Sequence, residues 1–375
     1  MAEETVGRGL EDVVVAESDI CFIDGREGRL LFRGYNVADL AREATYEEVV
    51  YLLWHGRLPN AGERDELAAA IAAEATVPAE IMAFLKGVPK TGTPMEVLRT
   101  AVSMLSLSDP AGNGTEEAAT HHAALRLLAK APTIVAAYHR LREGHEPIAP
   151  QSGRGLAWNF LHMLTGNEPD DDVARMFDVC LVLHADHEFN ASTFAARVTA
   201  ATLSDMYSSI TSAIGALKGP LHGGANEQVM RMLLEIGTVE NARPWIHAAL
   251  AEKRKISGFG HRVYRTEDPR ATVLRGFSER MGHKTGNATF YDMSRVIEKA
   301  VMDEKGLFPN VDFFSGSTYY AMGIPLDIFT PIFAISRMAG WTTHVFEQYA
   351  HNRLIRPRAK YTGSEGETWV PITQR

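Results

Sequence analysis

The sequence predicts a predominantly α-helical, all-α class protein with one small β-hairpin element near its N-terminus. Two observations carry that expectation. Past residue 45, apolar residues recur at helical spacing, most plainly in the stripe Val173, Met176, Phe177, Cys180, Leu181 and His184. Strand-like and helix-like segments do not alternate, so a doubly wound sheet is not supported. No repeat of fixed period is present either.

The β element comes first. Residues 10–34 alternate short apolar runs with turn residues: Val13-Val14-Val15, then Ile20 to Ile23, the turn pair Asp24-Gly25, and Leu30-Leu31-Phe32 before Gly34. Thr45 and Glu48 then form a capping box ahead of Val49, Leu52 and Leu53, and the helix stops at Gly56 before Pro59. The Ala-rich run 67–75 reads as a helix and 109–117 as a loop. Asp170, Asp171 and Asp172 open the helix of the stripe above, where acids complement the dipole. Residues 192–216 read as one or two helices ending near Gly215 or Gly219. From Ala225 a helix carries Val229, Met230, Leu233 and Leu234, with Gly237 as its C-cap. Residues 325–350 carry Ile332, Ile335, Ala339 and Phe346 on one side, as one long helix or a broken pair.

Composition bounds the function. With 375 residues, 45% of them hydrophobic and 23% charged, the chain has the balance of a soluble globular protein and room for more than one domain. It can bury a large core without disulfides or metal. A net charge of −9 argues against a nucleic-acid or anionic-membrane surface but leaves room for a local basic pocket. Cys21 and Cys180 have no metal-type spacing, and no disulfide framework is expected. The acidic start, with Glu3 and Glu4, does not resemble a signal peptide, and no apolar run approaches the roughly 20 residues of a membrane span. A cytoplasmic location is expected.

Residues 257–270 hold two glycines, His261, three arginines (Arg262, Arg265 and Arg270), the acids Glu267 and Asp268, and Pro269 within fourteen positions, too polar for core. Gly258 and Gly260 let the backbone approach a ligand, and the cations suit phosphate or carboxylate. Common motifs fail here. Gly258-Phe259-Gly260 lacks a third glycine, since position 263 is Val, and no strand precedes it. There is no Walker-type loop and no Gly-x-Ser-x-Gly elbow. His184 and His187 with Glu188 lack the second zinc-protease histidine, position 191 being Ala, so no metal is expected.

Three further sites stand at helix edges. His222 lies among Gly219, Gly223 and Gly224 just before a helix, where the dipole disfavours the protonated ring and a neutral imidazole can donate to a carbonyl. The bland alternative is a turn shaped by Pro and Gly with a surface histidine. Asp312 sits among Phe308, Val311, Phe313 and Phe314, where burial would raise its pKa and suit a general base; alternatively it caps the following helix. His184 continues the apolar stripe and reads as core, whereas His187, beyond the helix end, reads as a ligand contact. Arg337, mid-helix among apolar neighbours, calls for a paired anion; Arg353, Arg356 and Arg358 lie near the C-terminus.

Taken together, these segments resemble the citrate synthase family, in order and over nearly the whole chain: 20–34 with 45–59, 184–192, 219–227, 257–270, 308–316 and 325–357. The resemblance implies a nearly all-α, two-domain homodimer. Its large domain would take residues 1–223 and 327–375, and a small mobile domain, 224–326, would close over the substrates. It implies condensation of acetyl-CoA with oxaloacetate, with both as substrates and no cofactor. His222 matches the histidine that polarises the thioester carbonyl, Asp312 the base that takes the methyl proton, and His261 the histidine that hydrogen-bonds and then protonates the oxaloacetate carbonyl. His187, Arg270 and Arg337 match oxaloacetate-binding residues, and Arg356 the arginine that reaches into the partner's site. Ile256, Gly258, Phe259 and Gly260 match the loop that holds the CoA adenine, and Arg265 and Lys305 the phosphate-side contacts. Two positions depart from the pattern: Thr93 where many relatives carry His, and Arg262 where some carry Ala. The closest rival, 2-methylcitrate synthase, uses propionyl-CoA on the same fold; Ser315-Gly316 after Asp312 looks more like the citrate enzymes. A non-catalytic acyl-CoA-binding relative would have lost His222, His261 or Asp312, and all three are present.

Overall fold

The computed structural model describes residues 7–10 and 13–375. The N-terminal β element is an antiparallel sheet of three strands, β1 (Cys21–Asp24), β2 (Arg29–Phe32) and β3 (Tyr35–Asn36), in that order. Cys21 pairs with Phe32 and Asp24 with Arg29, so the tip spans residues 25–28. The Asp24 carboxylate accepts the N–H groups of Arg26 and Glu27, both at 3.0 Å, which fixes the turn. Val13, Val14 and Val15 lie outside the sheet and are exposed, Val14 at 89%. An apolar run without a partner strand to take its main-chain bonds stays irregular.

Sixteen α-helices follow among the described residues. The first five are α1 (Val37–Glu43), α2 (Tyr46–His55), α3 (Ala61–Glu74), α4 (Ala79–Gly87) and α5 (Pro94–Leu105). The Thr45–Glu48 capping box closes in both directions at the start of α2, and Gly56 ends that helix at φ 73°. Next come α6 (Glu117–Arg142), α7 (Leu156–Thr165) and α8 (Asp171–His184). The α6 helix escapes a periodicity reading because residues 123–138 are buried or half-buried on every side, leaving no polar face. Asp170 caps α8 by accepting from Asp172 and Val173. The stretch 192–216 resolves into two helices, α9 (Ala191–Ala200) and α10 (Met206–Leu217), with Asp205 capping the second.

Five helices, α11 (Ala225–Ile236), α12 (Val239–Ala251), α13 (Pro269–Lys284), α14 (Thr289–Lys305) and α15 (Val311–Ala321), pack chiefly on one another. The last, α16 (Phe329–Ala350), is one unbroken helix of 22 residues that packs on α2, α5, α6, α8, α9 and α10. It carries the fully buried Trp341 and Arg337. Residues 351–375 form no α-helix and are mostly exposed, including Leu354, Tyr361, Trp369 and Ile372. Among the described residues no single helix is long and apolar enough to cross a membrane.

Candidate active site

The loop before α13 ends at Asp268, so Arg270 belongs to the first helical turn. Asp268 caps that turn through the Arg270 N–H at 3.0 Å and grips the guanidinium twice, at 2.9 Å to Nε and 2.7 Å to Nη2. Its other lone pairs take the Val311 N–H at 3.2 Å, tying α13 to the start of α15. Both charges are buried. Burial alone would raise the Asp268 carboxyl, but the charge and hydrogen bonds of Arg270 hold it below the usual carboxylate range. The pair thereby fixes Arg270 next to Asp312.

Asp312 is not the helix cap. Asn310 is, accepting from the Asp312 N–H at 3.0 Å, which leaves the Asp312 carboxylate free of a capping duty. Desolvation pushes its pKa up to about 7, against the pull of Arg270 and Arg337. Asn310 also joins the two loops: its side chain donates to the Gly260 carbonyl at 3.0 Å and its main chain to Gly258 at 2.9 Å, while Gly260 donates to Phe308. These bonds carry His261 alongside Asp312. Gly258 is dictated by packing, since at φ 83° a Cβ there would meet Phe313 Cα at 2.9 Å; Gly260, at φ 76°, has only Leu307 nearby.

The two candidate histidines hold defined tautomers. At His261 the N–H groups of Val263 and Tyr264 both point at Nδ1, at 3.0 and 3.1 Å. A nitrogen receiving two N–H donors carries a lone pair, so the proton resides on Nε2. At His222 the Ser192 N–H is aimed at Nε2 at 3.2 Å, with the Ser192 hydroxyl at 2.8 Å, which puts that proton on Nδ1. Trp341 Nε1 donates to the same hydroxyl at 3.1 Å. Burial lowers both pKa values to about 4, helped by Arg337 at His222 and by Arg270 at His261. Both rings are therefore neutral N–H donors at pH 7; at His222 burial and Arg337 are the cause, where the sequence points to the helix dipole.

His187 follows the end of α8 and lies edge-on to His261, ring centroids 5.1 Å apart. Its pKa falls well below the ordinary value through burial and then the charge of Arg270. His184 is buried as the stripe required, donating from Nδ1 to the Cys180 carbonyl at 2.8 Å. Arg337 donates from Nε to the His184 carbonyl at 2.7 Å and lies 4.7 Å over the Phe333 ring. Among the described residues it forms no direct ion pair: the Asp186 and Asp312 carboxylates act on it only through their charge, and burial lowers its pKa to about 10. Arg337 Nη1, His187 Nε2 and His184 Nε2 are buried without a hydrogen-bond partner in the chain. Buried polar groups are normally satisfied, so a cation with two imidazoles in this state has the chemistry to take a small anionic ligand.

The structure thus gathers His187, His222, His261, Arg270, Asp312 and Arg337. Ile256 and Phe259 are buried, Phe259 with its ring centroid 4.5 Å from that of Phe313, next to Asp312 in the chain. Arg265 and Lys305 are exposed, and Arg356 is exposed on the segment after α16. Three residues that sequence reasoning did not single out prove structural to the site: Ser192, Asp268 and Asn310. Asp268 before Pro269 carried a cap signal, as did Asn310 two places before Asp312; nothing in the sequence marked Ser192 as the neighbour of His222.

Comparison with known proteins agrees with this geometry. The family profile described as citrate synthase, C-terminal domain, matches residues 9–358. The chain is 53% identical to citrate synthase 2 of Bacillus subtilis, over 99% of this chain and all of that one. It is 45% identical to 2-methylcitrate synthase of Mycobacterium tuberculosis, over 96% of this chain and 91% of that one. A solved ternary complex of citrate synthase from Thermoplasma acidophilum with carboxymethyl coenzyme A and oxaloacetate superposes with a TM-score of 0.94 at 32% identity, covering 100% of both chains. The chain belongs to the citrate synthase family, whose members are acyltransferase-type condensing enzymes.

Proposed function

We propose that the chain condenses acetyl-CoA with oxaloacetate to citrate and CoA through His222, Asp312 and His261. The observation that carries this reading is the pairing of two neutral histidines of fixed tautomer with a carboxylate whose pKa is near 7. A methyl group next to a thioester is a weak acid, so its proton is removed only if the carbonyl is polarised as the base acts. His222 donates from Nδ1 to the thioester oxygen while Asp312 takes the methyl proton. The resulting nucleophile attacks the oxaloacetate carbonyl, to which His261 donates from Nε2 and finally gives its proton. Arg270, Arg337 and His187 bind the two carboxylates, a task suited to guanidinium forks. Hydrolysis of citryl-CoA then releases the products.

CoA lies along Ile256, Gly258, Phe259 and Gly260, with the exposed Arg265 and Lys305 toward its phosphates. The helices α11–α15, within residues 224–326, form the small domain, and residues 1–223 with 327–375 the large one; closure excludes water until the carbon–carbon bond exists. The protein acts as a homodimer in which Arg356 completes the partner's site. The exposed Leu354, Tyr361, Trp369 and Ile372 on the same C-terminal segment support a partner surface there.

Thiol release with oxaloacetate and either acetyl-CoA or propionyl-CoA tests the reading, on wild type and Asp312→Asn. Acetyl-CoA is expected to give the higher kcat/KM, and the variant to lose about 10²–10⁴-fold in kcat, the usual worth of a general base. Release with neither thioester would sink the enzymatic reading. A higher kcat/KM for propionyl-CoA would replace citrate by 2-methylcitrate as the product.

A further inference from the structure

The loop that carries His261 is held from two sides. On one side the main-chain bonds from Gly258 and Gly260 to residues 308–310 join it to α15. On the other side it meets the tip of the β1–β2 hairpin, some 240 residues earlier in the sequence. The Arg265 N–H donates to the Gly25 carbonyl at 2.7 Å. A Cβ on Gly25 would lie 2.2 Å from the Val263 carbonyl oxygen, and one on Gly28 2.9 Å from Thr266 Cγ2 and 3.0 Å from the Glu267 carbonyl oxygen. The tip is pre-shaped by the Asp24 carboxylate, which holds the N–H groups of Arg26 and Glu27.

The segment touched is the one that sets His261. Val263 and Tyr264 supply the two N–H groups on His261 Nδ1, and the next N–H in the chain, that of Arg265, is the one that reaches Gly25. We infer that the β1–β2 tip is a positioning element for the reaction: Gly25 and Gly28 form a side-chain-free seat onto which residues 263–267 dock, and docking holds His261 in its Nε2–H form against the substrate. This rests on the proposed role of His261. It also makes the hairpin, otherwise a small edge element, part of the closure surface, together with the ion pairs Arg280–Asp172 and Lys284–Asp170, the latter at 2.7 Å, between α13 and the start of α8.

The test is Gly25→Ala, with Gly276→Ala as control, since a Cβ at position 276 meets nothing within 4 Å. Two readouts are taken on each: steady-state kinetics, and hydrogen–deuterium exchange of the Arg265 amide with and without oxaloacetate. Exchange reports opening of that one bond and does not depend on which thioester is used. The expected result for Gly25→Ala is a kcat lower by about tenfold or more, a raised KM for oxaloacetate, and loss of Arg265 protection, with the control unchanged. Wild-type kcat with wild-type protection overturns the inference. So does a fall in kcat with Arg265 still protected, because the seat would then be intact. If Gly25→Ala fails to fold, Asp24→Ala, which loosens the tip without adding bulk to the seat, decides by the same pair of readouts.

Discussion

His222 and His261 arrive at the same chemical state by opposite routes. Each is neutral, with a pKa near 4, and each has one nitrogen claimed by N–H donors so that the other carries the proton. His261 is fixed by its own next two residues but one, through the amides of Val263 and Tyr264. Its tautomer travels with its loop. His222 is fixed by Ser192, thirty positions earlier and at the start of a different helix, and the Ser192 hydroxyl is in turn held by Trp341 of α16. Its tautomer is a property of the assembled core. A local turn can therefore be disturbed only where it docks, whereas the assembled arrangement is exposed to substitutions well away from the chemistry.

The largest expected effects separate the two roles. His222→Ala and His261→Ala should each lower kcat by about 10²–10⁴-fold, the range of a positioned acid–base group. Glutamine keeps an N–H donor but cannot transfer a proton. His222→Gln should therefore recover roughly tenfold over His222→Ala, because polarisation needs only a hydrogen bond, while His261→Gln should recover little. Equal recovery at both positions would break the distinction between a donor at 222 and an acid at 261. Steady-state kinetics at saturating oxaloacetate measures it.

A pH profile tests the state the two share. If both rings are already neutral well above pH 4, neither sets the acid limb; Asp312 does, with its pKa near 7. A base must be ionised, so kcat/KM should fall as pH drops below about 7, by roughly tenfold for each further unit. Asp312→Glu should move that limb, and His222→Gln should leave it in place. An acid limb that disappears in His222→Gln would mean that the histidine titrates near neutrality.

Much of this was legible in the sequence. The α2 capping box, the α8 stripe and the glycine signals at 56 and 237 act locally, and local signals survive folding. The cluster of His187, His222, His261, Arg270, Asp312 and Arg337 was legible through its resemblance to a family. What escaped were features with no local signature. The α6 helix is buried all round, so no stripe betrays it. Val13, Val14 and Val15 have strand composition but no partner strand among the described residues. Asp312 has the look of a cap, yet Asn310 two residues earlier already takes that place. Gly258 suggested close approach of a ligand, and the packing of Phe313 against it, which requires glycine in its own right, had no signature in the sequence. Ser192 and Trp341 show the limit most clearly, because their tie to His222 exists only once α9 and α16 are packed together.

That tie also gives the smallest and sharpest of the expected effects. Ser192→Ala removes the hydroxyl at 2.8 Å from His222 Nε2 but keeps the main-chain N–H at 3.2 Å, so the tautomer survives with one donor fewer. One neutral hydrogen bond is worth about 0.5–1.5 kcal/mol, which corresponds to a kcat lower by roughly two- to tenfold. Trp341→Phe acts one step further back, removing only the donor to the Ser192 hydroxyl while an apolar ring remains in the core. Its effect on kcat should be about twofold, smaller than that of Ser192→Ala and absent when the two are combined, because the hydroxyl it orients is then gone. The comparison of single and double variants is made by kcat at saturating substrates, with thermal unfolding as a check on packing. Additive losses would mean that Trp341 acts through the core and not through His222, and the contrast between the two histidines would lose its most remote link.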